Sequence, residues 1–318
     1  MAESNNKKGA KKPVEKPEEI DAAKVESVSV VDEKEIPEGA DVKDEGVVIV
    51  GDEAEVQRVM DEAKAAVIKD SILVVIPYLA SAAQGRELEY AVSGWRKHFK
   101  EPHHIVIVGD YHPIVDTGDD ITFIECPRID EIPGQYRCHI DHVNKFRKVH
   151  EMFPDHKGFI YACDDMYAVN NFTMVEVLLP KILEGDMKGD PNSSNGWQRD
   201  LAKTRELCVR EGLPIRNWIC HLPVYYEWDK LFAIYDKYDC DHQSYVVENI
   251  YFNTYFADRV PFTLHFDTDN FKCGVYRSNP RIWCIEKAFK DKIWIQNSPE
   301  GWIPELDEML SKHYAESR

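Results

Sequence analysis

Between residues 47 and 163, short aliphatic runs alternate with segments whose apolar positions recur every three or four residues. VVIV at 47–50 is a brief β-branched run stopped by Gly51-Asp52, and 53–68 then places Val56, Val59, Met60, Ala63 and Val67 at helical spacing. ILVVI at 72–76 predicts a strand ending at Pro77. Its apolar character is continuous rather than alternating, so both its faces should be covered. A helix is expected over 86–99, with Leu88, Val92, Trp95 and Phe99 on one stripe. IVIVGD (105–110) and ITFIEC (121–126) predict further strands. A helix follows around 139–153, and then the strand FIYAC (159–163) runs into Asp164-Asp165. Strand, helix, strand repeated four times predicts an α/β fold with an open, mostly parallel sheet flanked by helices.

The C-terminal half is less regular. Helices are expected near 173–184, 197–212, 228–239 and 243–257, then aromatic-rich strand and loop to about 298, and a last helix at 303–313. With no internal repeat, 47–318 is expected to be one catalytic-type α/β domain with a helical C-terminal elaboration. Residues 1–46 differ: they hold no aromatic residue and three prolines, and 8 Lys against 13 Asp or Glu leave them at −5. Such a segment cannot bury enough apolar surface to offset its ordering entropy, so a disordered charged tail is expected, available as a docking arm for a protein partner.

Composition narrows the classes. Over 318 residues, 39 basic and 57 acidic side chains give −18, a surface that repels phosphate backbones, so no nucleic-acid polymer is expected as a partner. No apolar run approaches the ~18–20 residues that span a bilayer, and the opening MAESNNKKGAKK is polar. A cytoplasmic protein without a transmembrane segment is expected. The eight cysteines form no C-x-x-C pair, which fits free, largely buried thiols in a reducing compartment.

Ligands of open α/β sheets bind beyond the carboxyl ends of the strands. Three strand ends carry chemistry: Pro77-Tyr78-Leu79-Ala80, suited to covering a base; Gly109-Asp110, whose carboxylate can accept from a ribose or base; and Asp164-Asp165-Met166. Two adjacent carboxylates after a buried strand repel and raise each other's pKa, and a divalent cation removes that cost. Mg²⁺ or Mn²⁺ takes one or two protein carboxylates and keeps its other positions for water and phosphate oxygens. A solvated turn after the strand is the bland alternative.

FIYACDDMY (159–167) after an α/β half resembles the GT-A class of nucleotide-sugar glycosyltransferases, whose acidic motif binds metal and diphosphate. The chain is more similar still to the Stealth family of sugar-phosphate transferases. That family carries segments like Arg86-Glu87-Leu88-Glu89-Tyr90-Ala91-Val92-Ser93, a strand like 105–108, and Phe159-Ile160-Tyr161 leading to Asp164-Asp165-Met166-Tyr167. It also has a His-x-Pro element like His221-Leu222-Pro223, and an acid with aromatics like Glu248, Tyr251 and Phe252. The chain departs from it at Ile76-Pro77-Tyr78, where the family has a Trp-Val-Asp type motif, at Cys163, where Asn is usual, and at Asn297-Ser298, where the family has Asn-Asp.

The resemblance implies a nucleotide-diphosphate sugar donor, a glycan or other hydroxyl acceptor, and Mg²⁺ or Mn²⁺ on Asp164 and Asp165. Glycosyl transfer, sugar-phosphate transfer and a non-catalytic assembly role on the same fold all stay open. Among the other residues, Arg86 is expected either on a phosphate or in solvent, and Glu87 and Glu89 suit a helix N-terminus through its dipole alone. His221 is a candidate ligand, base or core histidine, and Glu248, in apolar YVVEN, is the first candidate for a general base. Arg277 lies in a turn-like stretch that could reach a diphosphate. Of Trp197, Trp218, Trp228 and Trp302, one or two at most should touch a saccharide. Cys138, His139 and His142 lack the second cluster that a metal site needs.

Overall fold

The structure, a computed structural model, describes residues 71–265 and 268–315. The tail expected over 1–46, and the strand and helix expected over 47–68, lie outside the described residues.

The first strand, β1 (Ile72–Tyr78), leads into α1 (Glu87–His98), and β2 (His103–Gly109) pairs with β1 in parallel. Helix α1 carries Glu87 and Glu89 in its first turn and Arg96, Lys97 and His98 in its last, the charge order that its dipole favours. Only a 3₁₀ turn at Pro113–Thr117 separates β2 from β3 (Ile121–Glu125), so one of the expected helical crossovers is reduced to a single turn. Helix α2 (Arg137–Met152) then crosses to β4 (Gly158–Tyr161), which pairs in parallel with the other side of β1.

The chain continues through β5 (Met166–Ala168), α3 (Met174–Leu178), β6 (Lys181–Ile182), α4 (Gly196–Arg210), β7 (Val224–Glu227), α5 (Trp228–Tyr238), α6 (Val247–Tyr255) and β8 (Phe262–Thr263). It ends with β9 (Lys272–Val275), α7 (Ile282–Asp291), β10 (Trp294–Asn297) and α8 (Pro304–Ala315). The main sheet has five strands in the order β3-β2-β1-β4-β7, parallel except for β7. Beside it stand a three-stranded sheet, β5-β10-β9, and the pair β6-β8. The mostly parallel sheet flanked by helices is the architecture that the hydrophobic pattern predicts.

Successive residues of a strand face opposite ways, and β1 uses both faces. Leu73 and Val75 pack with Val143, Phe146 and Val149 of α2 and with residues of α5 and α6. Val74 and Ile76 pack with Leu88, Val92 and Trp95 of α1 and with Phe99. Those four strand residues are wholly buried, which is why the run is apolar without interruption.

Three sequence expectations are corrected. Strand β1 runs through Pro77 to Tyr78 rather than ending before it. Its β4 partners reach only Val75, so at Pro77 no ladder bond on that side is lost to the missing N–H. The helix expected over 173–184 stops at Leu178, because Pro180 cannot continue it and the buried Lys181 ammonium donates to the carbonyls of Glu176 (2.6 Å) and Leu179 (2.7 Å). The stretch expected to be strand and loop to 298 contains α7, whose Ile285 and Ala288 are buried against the small sheet at helical spacing.

At the end of β2, Gly109 has φ +140°, and a Cβ there would lie 2.0 Å from the Tyr78 carbonyl oxygen. The backbone opposite cannot yield without parting β1 from β2. Gly109→Ala should therefore cost at least ~1–3 kcal/mol, read as a fall in the urea midpoint at unchanged m-value. An unchanged midpoint would show that this strand end is not held.

Candidate active site

From β1 the chain passes to β2 on one side of the main sheet, while β4 lies on the other. The strand order reverses between β1 and β4, and at such a switch point the flanking loops part and leave a crevice beyond the carboxyl ends. Asp164 and Asp165 lie at the end of β4, immediately before β5, and are partly exposed there.

Their surroundings are unfavourable to charge. Burial, then the Asp165 charge and then Glu87, raise Asp164 to about 8. Burial also lifts Asp165, against a hydrogen bond from Gln296, to about 7. The third acid is Glu87, at the start of α1, itself 4% exposed and pushed up by burial. Glu87 is thus near enough to the pair for its charge to weigh on both acids.

Amides from the far end of the chain hold them. The Asn297 amide donates to Glu87 Oε1 (2.6 Å) and to the Ser298 carbonyl (3.1 Å), while its Oδ1 accepts from the Tyr167 hydroxyl (2.5 Å). Gln296 donates to Asp165 Oδ2 (3.3 Å) and accepts from the Tyr276 hydroxyl (2.7 Å). Lys272, 1% exposed, donates to Tyr276 (3.0 Å) and to the Cys220 carbonyl (2.6 Å). Pairing of β10 with β5 and β9 sets this register: Gln296 lies opposite Met166 and beside Gly274.

The pair suits a divalent cation by its own chemistry. Asp165 Oδ1 is buried without a hydrogen-bond partner, and each acid disfavours ionisation of its neighbour. Among the described residues no three His, Cys, Asp or Glu come together as a ligand set, so the donors offered are two adjacent carboxylates. That is the number Mg²⁺ or Mn²⁺ takes when substrate phosphates complete its shell.

The remaining candidates divide. Pro77 and Tyr78 end β1 opposite Val108 and Gly109, and Asp110 accepts from the Ala80 amide (2.9 Å), so all three share the crevice edge. The Tyr78 ring is 7% exposed and meets His112 edge-on, which buries most of the face that a base would cover. Arg86 turns to Glu89 (2.8 Å) and lies over the Tyr90 ring. Arg277 is exposed on the turn after β9.

His221 (φ +49°) and Glu248 line a second hollow, a cavity of about 250 Å³ whose wall includes Cys163 and Met166. Glu248 Oε1 is buried without a partner, and burial raises the group to about 8 against the Lys181 charge and a hydrogen bond with Tyr226. Trp197 lines this cavity, Trp218 and Trp228 are core residues, and Trp302 packs on Tyr90. Cys126, Cys208, Cys220 and Cys240 are buried free thiols, and the other four cysteines are free and partly exposed.

Sequence reasoning missed Glu87, which it assigned to the helix dipole. A signal was present: Glu87, Ala91 and Trp95 fall on one helical stripe, and the last two are core residues. It also set Asn297 aside as a departure from a motif.

No family model and no curated protein matches the chain. Solved structures similar to it include apo WbbM, a bifunctional glycosyltransferase, at 11% identity and a TM-score of 0.44, over 77% of this chain and 50% of that one. Another is the apo glycosyltransferase GlyE of Streptococcus pneumoniae TIGR4, at 11% identity and TM-score 0.32, over 77% and 60%. A third is a glycosyltransferase involved in glycosylation of the major capsid of PBCV-1, at 10% identity and TM-score 0.32, over 77% and 99%. The chain thus spans about half the length of the first of these. Similarity at this level extends to neither substrate nor reaction. Among the described residues no helix is long and apolar enough to cross a membrane.

Asn297→Ala would leave Glu87 and the Tyr167 hydroxyl buried without their amide. A loss of ~1–3 kcal/mol is expected from chemical denaturation, and a larger loss for Asn297→Asp, which adds a further carboxylate. Wild-type stability in both variants would contradict the network.

Proposed function

We propose that this chain is a metal-assisted glycosyltransferase that moves a sugar from a nucleoside diphosphate to a hydroxyl of a glycan acceptor. One observation carries the reading: Asp164 and Asp165 sit with Glu87 at the crevice where the strand order reverses, with one carboxylate oxygen buried and unpartnered. Holding like charges there is costly unless a cationic ligand is part of the working protein. Asp164 and Asp165 would hold Mg²⁺ or Mn²⁺, which when bound neutralises the diphosphate and stabilises charge on the leaving group.

The chain's own groups supply the rest. Pro77 and Asp110, at the ends of β1 and β2, would bind the nucleoside, Tyr78 would back it as part of the strand end rather than stack on a base, and Arg277 would approach the diphosphate from the turn after β9. Arg86 is committed to Glu89 and serves the site less directly. Glu248 takes the proton of the acceptor hydroxyl, with His221 on the same cavity as the alternative base. The hydroxyl oxygen bonds to the anomeric carbon, that carbon's bond to the diphosphate oxygen breaks, and the nucleoside diphosphate leaves. The segments resembling the Stealth family favour a second reading, in which the hydroxyl attacks phosphorus and a nucleoside monophosphate leaves.

Incubation with UDP-, GDP- and CDP-sugars in Mn²⁺, with the released nucleotide identified, separates the two reactions. Asp165→Asn should lower kcat by ~10²–10³-fold, as loss of a charge-stabilising group does. Full metal-dependent turnover in that variant would overturn the metal role.

Since only the ionised carboxylate accepts a proton, kcat/KM should rise with pH and level off above about 8, the value to which burial raises Glu248. Glu248→Gln should lose that rising limb. A variant that keeps the wild-type profile would remove Glu248 from the base role.

A further inference from the structure

The cavity beside the acid pair has a chemistry of its own. Its wall is largely apolar and aromatic: Tyr136, Tyr161, Trp197 and Tyr245 contribute rings, and His139, His142 and His221 contribute imidazoles. No lysine, arginine or aspartate lines it, and its single carboxylate is Glu248. Burial holds Glu248 largely neutral below about pH 8, so near neutrality the hollow's one carboxyl adds little charge. An anion would find no lysine or arginine there, and a hydrocarbon would leave Glu248 Oε1 without a partner.

The polar demand is specific. Glu248 Oε1 is buried and accepts no hydrogen bond, a state that costs ~1–3 kcal/mol unless a ligand donor meets it. Size sets the other bound. At about 250 Å³ the cavity falls below the ~300–1,000 Å³ of pockets for drug-sized ligands. That is room enough for about one ring.

We propose that this cavity is a binding subsite for one uncharged, polyhydroxylated ring, a pyranose-sized saccharide unit, which donates a hydroxyl to Glu248 and packs against the aromatic wall. Cys163 and Met166, which line it, bracket Asp164 and Asp165 in the chain, so the ring is held next to the acid pair. As a binding site it stands on these observations; its role as the acceptor subsite rests on the transferase reading.

Cys138 provides a readout that needs no turnover. It lines the cavity and is partly exposed. Burial raises its thiol, but the charge of His142 and a hydrogen bond with it bring the group below its ordinary value, which favours alkylation. The full chain, without metal or nucleotide, is treated with iodoacetamide in the presence of the methyl pyranosides of glucose, galactose, mannose and N-acetylglucosamine, each up to ~100 mM, well above a weak ~1 mM affinity. Glucuronate and glucose 6-phosphate serve as charged comparisons, and peptide mass spectrometry follows each cysteine. Cys273 and Cys284, which line a different cavity, are internal controls.

At least one neutral pyranoside should slow alkylation of Cys138 by ~2-fold or more, the change that half occupancy produces, and leave the two controls untouched. Trp197→Ala, at a partly exposed position on α4, and Glu248→Gln should each weaken that protection. Three results would overturn the proposal: no protection by any neutral pyranoside, equal or better protection by the charged sugars, or protection undiminished in both variants. Because donor and metal are left out, failure here leaves the transferase reading standing. Protection without any nucleotide-sugar turnover would instead remove the transferase reading and keep the site.

Discussion

Like charges kept together at a strand end are the constraint that organises this molecule. Glu87 raises the cost of ionising both aspartates and Asp165 that of ionising Asp164, while the side-chain donors that reach the acids, Gln296 and Asn297, are uncharged. Asn297 uses both amide hydrogens and its oxygen, so nothing in that side chain is left unsatisfied between Glu87 and Tyr167. Gln296 ties Asp165 through Tyr276 to the buried Lys272, the nearest cation in the network. An aspartate in place of either amide would add repulsion where donors are needed.

The frame makes that arrangement tolerable. Strand β1 is sealed on both faces, and close backbone approach at Gly109 keeps β1 and β2 in register up to the edge. The small sheet β5-β10-β9 brings Gln296 and Asn297 to the acids. Strand β5 follows the acidic pair directly, and β10 carries the amides, so a single antiparallel pairing sets acid against amide. The two hollows share the segment around Cys163 to Met166, which places a charge-gathering crevice beside a nearly neutral cavity.

Much of the N-terminal half was legible. Strands β1, β2 and β4 are continuous apolar runs because helices cover both their faces, and α1 and α2 show clean stripes because one side of each meets the sheet. The C-terminal half was less so. Its strands are two to four residues long, too short for a period, and α7 hides among aromatics that the small sheet buries. Pro180 lay inside the helix expected over 173–184, and the ammonium of Lys181 capping α3 left no mark in the sequence, since a buried lysine is legible only once its carbonyl partners are placed.

By itself the sequence determined what is local: which segments bury both faces, where the turns fall, and that two acids are adjacent after a strand, since neighbouring residues cannot avoid each other's charge. The tertiary structure alone decided what those acids face. Glu87 and Asn297 are 210 residues apart and Gln296 is 131 residues from Asp165, and no periodicity records such a pairing. It follows from which strands pair and in what register. That choice is made by burial summed over the whole core rather than by any one side chain.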